Sequence, residues 1–298
     1  MENKLCLGTV QFGLNYGINN FSGKPAKNDV FRMMDEALSR GIGYFDTAAA
    51  YGNAEDLLGE YGIHRHKVKI TTKLQPNLVG ENDPETEKIV KIQIEQSLRK
   101  LKLERLDGYL LHTPTDFYNP RIIEALQQCK AKGLITHFGV SIYEVEHALD
   151  VVKSGLVDYI QVPYSVFDQR VDQTEFFQLA KQNNVTVFAR SAFLQGLILM
   201  EFDKIPEKLA KVRKYLMEFD NIINKFGFSR KQAAFLFTYT HPDIDYLVFG
   251  VDTIDQLTEN IAISRSHDDF SQCRSELSKY FKTIEKSIIF PSLWAKKN

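Results

Sequence analysis

Residues Gly43 to Gly52 read GYFDTAAAYG. A short apolar run, Tyr44-Phe45, closes on the carboxylate of Asp46; alanines follow, and then Tyr51 stands against Gly52. A run this short that follows glycine reads as a strand rather than a helix. Polar groups at the carboxyl ends of strands are where parallel α/β sheets collect their chemistry, so Asp46 is a candidate functional residue from the outset.

Similar runs recur along the chain at Leu5–Thr9, Val68–Lys73, Gly108–His112, Thr136–Ser141, Tyr159–Val162, Thr186–Arg190 and Tyr246–Phe249. Between them lie segments of helical period. Val30, Met33, Met34, Ala37 and Leu38 make one apolar stripe; Val90, Ile94, Leu98 and Leu101 make a second, and Ile122, Ala125, Leu126 and Cys129 a third. Asn82 or Asp83, followed by Pro84, is the expected cap and first turn of the second of these helices. Strand and helix alternate through 298 residues with no Pro/Gly/Ser linker, which predicts one α/β domain over residues 1–298 with a parallel sheet. Eight units fit a closed (β/α)8 TIM barrel; an open doubly wound sheet is the alternative. The stretch from 264 to 298 follows the last unit as a tail. Its Phe290 and Trp294 lie either over the barrel mouth or, by default, against the outside.

Bulk properties narrow the function classes. A net charge of −1 with no basic block argues against nucleic acid or an anionic membrane as partner. Three scattered cysteines, Cys6, Cys129 and Cys273, suit a reducing cytoplasm rather than a disulfide framework. The opening MENKLCLGTVQFG has no apolar core of signal-peptide length, and no run approaches a membrane span. Gly41-Ile42-Gly43 precedes a strand and lacks a third glycine, so it is no dinucleotide fingerprint; Gly41 is expected to end the preceding helix. His64 and His66 alternate without thiol or carboxylate company, and no metal site is expected.

Lys73 closes VKITTKL, His112 closes GYLLHTP and Ser141 closes THFGVS, repeating what Asp46 does. Singly, such residues are snorkelling lysines or satisfied core histidines. Together with Tyr51 they form a chemical set. A tyrosine near pKa 10 is a poor acid at pH 7; an ammonium beside it favours the phenolate, and a carboxylate holds that ammonium charged and aimed. A histidine can orient a carbonyl oxygen. The set suits proton transfer to an oxygen that gains charge as hydride reaches its carbon.

From Leu5 to Ile263 the chain resembles the aldo-keto reductase superfamily. The motifs that carry the resemblance are LGTVQFG, GIGYFDTAAAYG, ITTKL, LERLDGYLLH, FGVS, QVPYS and FGVDTIDQLTEN. The resemblance implies a (β/α)8 barrel, a nicotinamide cofactor held without a Rossmann motif, and hydride transfer between it and an aldehyde, ketone or alcohol. It assigns Asp46, Tyr51, Lys73 and His112 as the catalytic tetrad, with Tyr51 as general acid or base. Cofactor contacts are implied at Thr9 and Asp46, at Ser141 and Gln161, at Arg190, Ser191, Phe193 and Gly196 after the seventh strand, and at Gly250, Asp252, Gln256, Glu259 and Asn260.

Departures from the family pattern sharpen the expectation. Ile142 replaces an asparagine that usually follows Ser141, and Arg190 stands where relatives carry an aromatic that stacks on the nicotinamide. A guanidinium can stack as well, and its charge disfavours the oxidised ring; alternatively Arg190 turns to a carboxylate or phosphate. At the places where NADPH users carry cations the chain has Gly250, Asp252 and Gln256, so NAD(H) is expected over NADP(H), unless an arginine elsewhere such as Arg265 supplies the charge. Gln11, Phe12, Tyr16, Thr113 and Tyr164, with Phe193 and the tail aromatics, are the candidate substrate residues. The LGTVQFGLNYG start with ARSAFLQGL resembles a branch associated with bacterial surface sugars, which implies a sugar or nucleotide-sugar substrate; small carbonyl compounds fit the same candidate residues. The rival reading is an NAD(H)-binding redox sensor or accessory subunit with little turnover. Oligomeric state is not legible.

Overall fold

In the computed structural model, which describes residues 3–80, 83–266 and 269–294, eight strands run parallel and close on themselves in chain order. They are β1 (Leu5–Gly8), β2 (Tyr44–Asp46), β3 (Lys69–Lys73), β4 (Leu106–Leu111), β5 (Ile135–Ser141), β6 (Tyr159–Pro163), β7 (Thr186–Arg190) and β8 (Tyr246–Phe249). Closure is made by β1 against β8, with Leu5 opposite Leu247 and Leu7 opposite Phe249, which sets the open sheet aside. The fold is a (β/α)8 TIM barrel.

The helices are α1 (Val10–Gly13), α2 (Lys27–Ser39), α3 (Ala54–Tyr61), α4 (Thr86–Leu101), α5 (Pro120–Ala131), α6 (Val145–Lys153), α7 (Phe176–Gln182), α8 (Val212–Lys225), α9 (Arg230–Tyr239), α10 (Ile254–Ser264), α11 (Ser271–Tyr280) and α12 (Lys286–Ile289). The apolar stripes face inward: Val30, Met33, Met34 and Ala37 of α2 are buried, as are Val90, Ile94, Leu98 and Leu101 of α4. Each valine, isoleucine, leucine or methionine among them contributes roughly 1.5–3 kcal/mol when fully buried. Gly41 ends α2 as expected. At φ 82° it is left-handed, and its N–H reaches the Leu38 carbonyl.

Several boundaries differ from expectation, those of β1, β3, β5 and β6 by a single residue. Asn82 lies outside the described residues, and α4 begins only at Thr86, with Glu85 at its cap. Pro84 disfavours a helical backbone at Asp83. The Asp83 carboxylate instead accepts the Glu85 N–H at 2.8 Å, making a turn ahead of the helix. The fourth strand starts two residues earlier than expected, because Leu106 already pairs with Ile135, and it ends at Leu111, leaving His112 just beyond it.

The lower end of the barrel is plugged. Tyr44, Tyr159, Phe188 and Tyr246 pack together there, and the Tyr44 and Tyr159 hydroxyls both donate to Asp107. The cavity described below lies at the other end, where the strands finish. The described part of the tail packs on the outer wall. Phe290 lies under the Arg170 guanidinium at 4.5 Å, Lys286 pairs with Glu144 at 2.9 Å, and the Trp294 indole donates to the Ser287 carbonyl. Neither Phe290 nor Trp294 borders the cavity described below.

Candidate active site

Register explains how Asp46 and Lys73 meet. Asp46 pairs with Thr71, and Lys73, two residues on, projects to the same side as Thr71. Lys73 is fully buried, and its ammonium donates to both Asp46 oxygens at 2.7 Å, to the Thr47 carbonyl at 2.9 Å and to the Tyr51 hydroxyl at 3.4 Å. Asp46 also accepts from Gln161 at 2.8 Å, and Gln161 in turn accepts from the Ser141 hydroxyl at 3.3 Å.

Tyr51 is delivered by a loop that has no room to drift. Thr47 and Ala49 donate their N–H groups to the carbonyls of Thr71 and Lys73. Gly13 and Gly52 then let two backbones touch: a Cβ on Gly13 would stand 1.7 Å from the Tyr51 carbonyl oxygen, and one on Gly52 would stand 2.4 Å from the Gly13 oxygen. Gly52 is also left-handed, at φ 56°. The sequence carried this signal in QFG and AYG, but which backbones meet is a tertiary fact.

Burial, and next the Asp46 charge, push the Tyr51 phenol well above the ordinary tyrosine value. That is the reverse of the direction expected from Lys73 alone. The ammonium spends its charge on Asp46, 2.7 Å away, and reaches the phenol only at 3.4 Å. Tyr51 is therefore a neutral acid in this structure. The His112 ring stands edge-on to Tyr51, with centroids 5.8 Å apart. Burial, then the positive charges of Lys73 and Arg190, lower its pKa from 6.5 to about 3. A neutral imidazole with one N–H can donate to a carbonyl oxygen without competing with Tyr51 as an acid.

These groups open onto a cavity of about 300 Å³ at the barrel mouth. Most of the candidates border it: Asp46, Tyr51 and His112; Thr9, Gln11 and Tyr16; Ser141 and Gln161; Arg190, Ser191, Phe193 and Gly196; Gly250, Asp252, Gln256 and Asn260. Lys73 stands behind Asp46 and Tyr51. The remaining candidates do not border the cavity. Phe12, on α1, is fully buried in the core, where its size serves packing. Tyr164 stacks on Phe237 outside the barrel wall and donates to Asp172 at 2.8 Å. Thr113 leads into the helical turn Pro114–Tyr118, and Glu259 is exposed and paired with Lys231.

Sequence reasoning missed Tyr143, Asn19, Asn20, Gln195 and Lys231, all on the cavity. Tyr143 lies 4.6 Å from the Arg190 guanidinium, which donates to the Ile142 carbonyl at 2.7 Å and the Ser191 hydroxyl at 3.3 Å. Arg190 has no carboxylate partner among the described residues, so its charge faces the cavity uncompensated. The loop after β1 arches over the same space: Ile18 donates to the Gln195 carbonyl at 3.0 Å, Gln195 to the Tyr16 hydroxyl at 3.1 Å and Asn20 to Asp252 at 2.9 Å. Across from it, Ser191, Leu194 and Gln195 hold left-handed φ angles of 70°, 49° and 55°. Such strain gathers at ligand-binding loops.

Three buried polar atoms on the cavity, Gln11 Oε1, His112 Nδ1 and Asn260 Oδ1, have no hydrogen-bond partner. Buried polar atoms without partners are rare, and a ligand rich in hydroxyl and amide groups would satisfy these. The cavity thus presents unpaired polar atoms to a polar ligand.

Fold and site together give a (β/α)8 barrel with a polar cavity at the carboxyl ends of its strands. Residues 4–276 match the model of the Aldo/keto reductase family. The chain is 26% identical over 274 residues to the uncharacterized oxidoreductase YqkF of Bacillus subtilis, spanning 86% of this chain and 89% of that protein. It is 25% identical to the NADH-specific methylglyoxal reductase of Escherichia coli, over 87% of this chain and 92% of that one. In structure it resembles the holo form of aldo-keto reductase AKR11C1 from Bacillus halodurans, with a TM-score of 0.77, 22% identity, and 93% and 91% of the two chains covered. The chain belongs to the Aldo/keto reductase family. It is an NAD(P)H-dependent oxidoreductase.

Proposed function

We propose that the protein reduces a carbonyl compound, or oxidises the corresponding alcohol, with Tyr51 as the proton donor or acceptor and NAD(H) as the preferred cofactor. The observation that carries this is one ammonium, on Lys73, in reach of both Asp46 and the Tyr51 hydroxyl, with neutral His112 edge-on to that phenol. When bound, the nicotinamide supplies or accepts the hydride. His112 donates its N–H to the substrate oxygen and holds the carbonyl. Tyr51 gives that oxygen its proton as charge builds on it, a contribution of roughly 10²–10⁴ in rate. Lys73 stabilises the phenolate left behind, and Asp46 keeps the ammonium paired throughout the cycle. Ser141 and Gln161, joined to Asp46 by hydrogen bonds, are the proposed carboxamide contacts.

The NAD(H) preference is supported by Gly250, Asp252 and Gln256, which offer a 2′-phosphate no cation; Asp252 is held at the cavity by Asn20 and suits a ribose diol. The polar and aromatic mixture of Gln11, Tyr16 and Tyr143 supports a sugar or small carbonyl substrate. The name of the Escherichia coli relative puts methylglyoxal into the same test panel. Three buried free cysteines favour a cytoplasmic setting. Among the described residues no helix is long and apolar enough to cross a membrane.

The test is turnover of an aldehyde and sugar panel with NADH, set against Tyr51→Phe. Loss of rate in the variant by about 10² or more supports the reading; equal rates refute it. Fluorescence titration with NADH and NADPH tests the preference, which tighter NADPH binding overturns. A second reading rests on the uncompensated charge of Arg190 and the loss of an asparagine at Ile142: a redox-sensing binder. Tight NADH binding without turnover on any substrate would favour it.

A further inference from the structure

We propose that the Lys231–Glu259 ion pair sets the choice between NAD(H) and NADP(H), with Glu259 acting as a built-in counter-ion that occupies the ammonium a 2′-phosphate would need. The inference rests on the reading of the cavity as a dinucleotide site given above. Lys231 comes from α9 and Glu259 from α10; they pair at one border of the cavity, where Gln256 and Asn260 also line it. Tyr51 follows β2 and His112 follows β4, whereas α9 and α10 flank β8, and all of them border the one cavity. A reacting ring must lie against Tyr51, so the adenosine half of a dinucleotide is left for the border at α9 and α10.

Cations on the cavity wall are few. Arg190 stands at the end of β7 beside Tyr143 and Ile142, and His112 is neutral, so Lys231 is the cation that α9 and α10 bring to the cavity. Arg265, the alternative source of charge weighed from the sequence, does not border the cavity. Lys231 is 18% exposed at its side chain, whereas Glu259 is 57% exposed. The ammonium therefore belongs to the site, and the carboxylate reaches in from the surface to neutralise it. Independently, Asn260 Oδ1 is buried on this border with no partner, an acceptor waiting for a hydroxyl or amino donor from a ligand. Lys231, Glu259 and Asp252 sum to a net −1, which repels a 2′-phosphate of about −1.5 to −2 and leaves a neutral ribose diol undisturbed. Taking the charge from Glu259 brings the border to zero and frees the ammonium.

The experiment titrates the full-length protein with NADH and NADPH by nucleotide fluorescence, comparing the wild type with Glu259→Gln, Lys231→Met and the double variant. Glu259→Gln should strengthen NADPH binding relative to NADH by about ten-fold, equivalent to about 1.4 kcal/mol. The gain should shrink as salt rises, and Lys231→Met should erase it in the double variant. A ratio that stays within about two-fold of the wild type, including equal weakening of both nucleotides, overturns the inference. So does a gain that survives Lys231→Met. If the wild type binds neither nucleotide, the dinucleotide reading itself falls, and this inference with it.

Discussion

Replacing Asp46 by asparagine should cost this barrel both stability and rate, and a second substitution should return only the stability. Asp46 and Lys73 are 5% and 0% exposed at their side chains and meet at 2.7 Å. At an effective dielectric of about 20, that separation is worth roughly 6 kcal/mol of gross attraction. The substituted amide would keep one oxygen for Lys73. Its nitrogen would have to face either the ammonium or the Gln161 N–H, both donors. Breaking a buried pair from one side costs about 3–5 kcal/mol, because the surviving charge stays desolvated. With a urea dependence of about 3 kcal/mol/M, the unfolding midpoint should fall by roughly 1–1.7 M, read by far-ultraviolet circular dichroism. Asp46→Asn/Lys73→Met removes the stranded charge and should recover most of that loss, since apolar replacement of a buried pair is close to neutral. Carbonyl reduction should stay depressed in both variants, as neither presents a paired ammonium to Tyr51. An unchanged midpoint in Asp46→Asn, or full activity in the double variant, would refute the reasoning.

Other consequences follow from the same geometry. His112 should shape the acid limb of stability: well above pH 6.5 it is neutral in both states, and as pH falls through 6.5 the unfolded chain takes a proton that the fold refuses until about pH 3. Stability should therefore drop by roughly 2 kcal/mol between pH 6.5 and 5 on this account, and His112→Gln should flatten that part of the urea-midpoint profile; an unaltered profile would show that His112 takes up its proton in the fold. Gly13→Ala forces a methyl to within 1.7 Å of the Tyr51 carbonyl oxygen. It should destabilise by about 1–3 kcal/mol and lower the rate by about 10² through displacement of Tyr51; wild-type kinetics in that variant would mean the glycine contact does not position Tyr51. Arg190→Tyr removes a positive charge from the cavity wall and should tighten NAD⁺ binding relative to NADH, measured by parallel titrations. A constant ratio would dispose of the charge argument.

The sequence by itself determined the alternation of strands and helices and the inward stripes of α2, α4 and α5, because side-chain period is a local property of the chain. It also determined which polar residues stand at strand ends, so Asp46, Lys73 and His112 were legible before any coordinate. The tertiary structure decided whatever depends on residues far apart in sequence. Closure of β1 on β8 chose barrel over open sheet. The contact of Gly13 with Gly52 fixed where Tyr51 sits, and burial raised its phenol against the direction that Lys73 alone suggests. Phe12 and Tyr164 look like substrate residues as letters beside a strand end, yet packing turned them into the core and the outer wall. Lys231 shows no motif at all, and reaches the cavity only because α9 packs beside α10. Pattern along a chain reports which face of an element is apolar; it does not report which faces of separate elements will meet, and the cavity is made of such meetings.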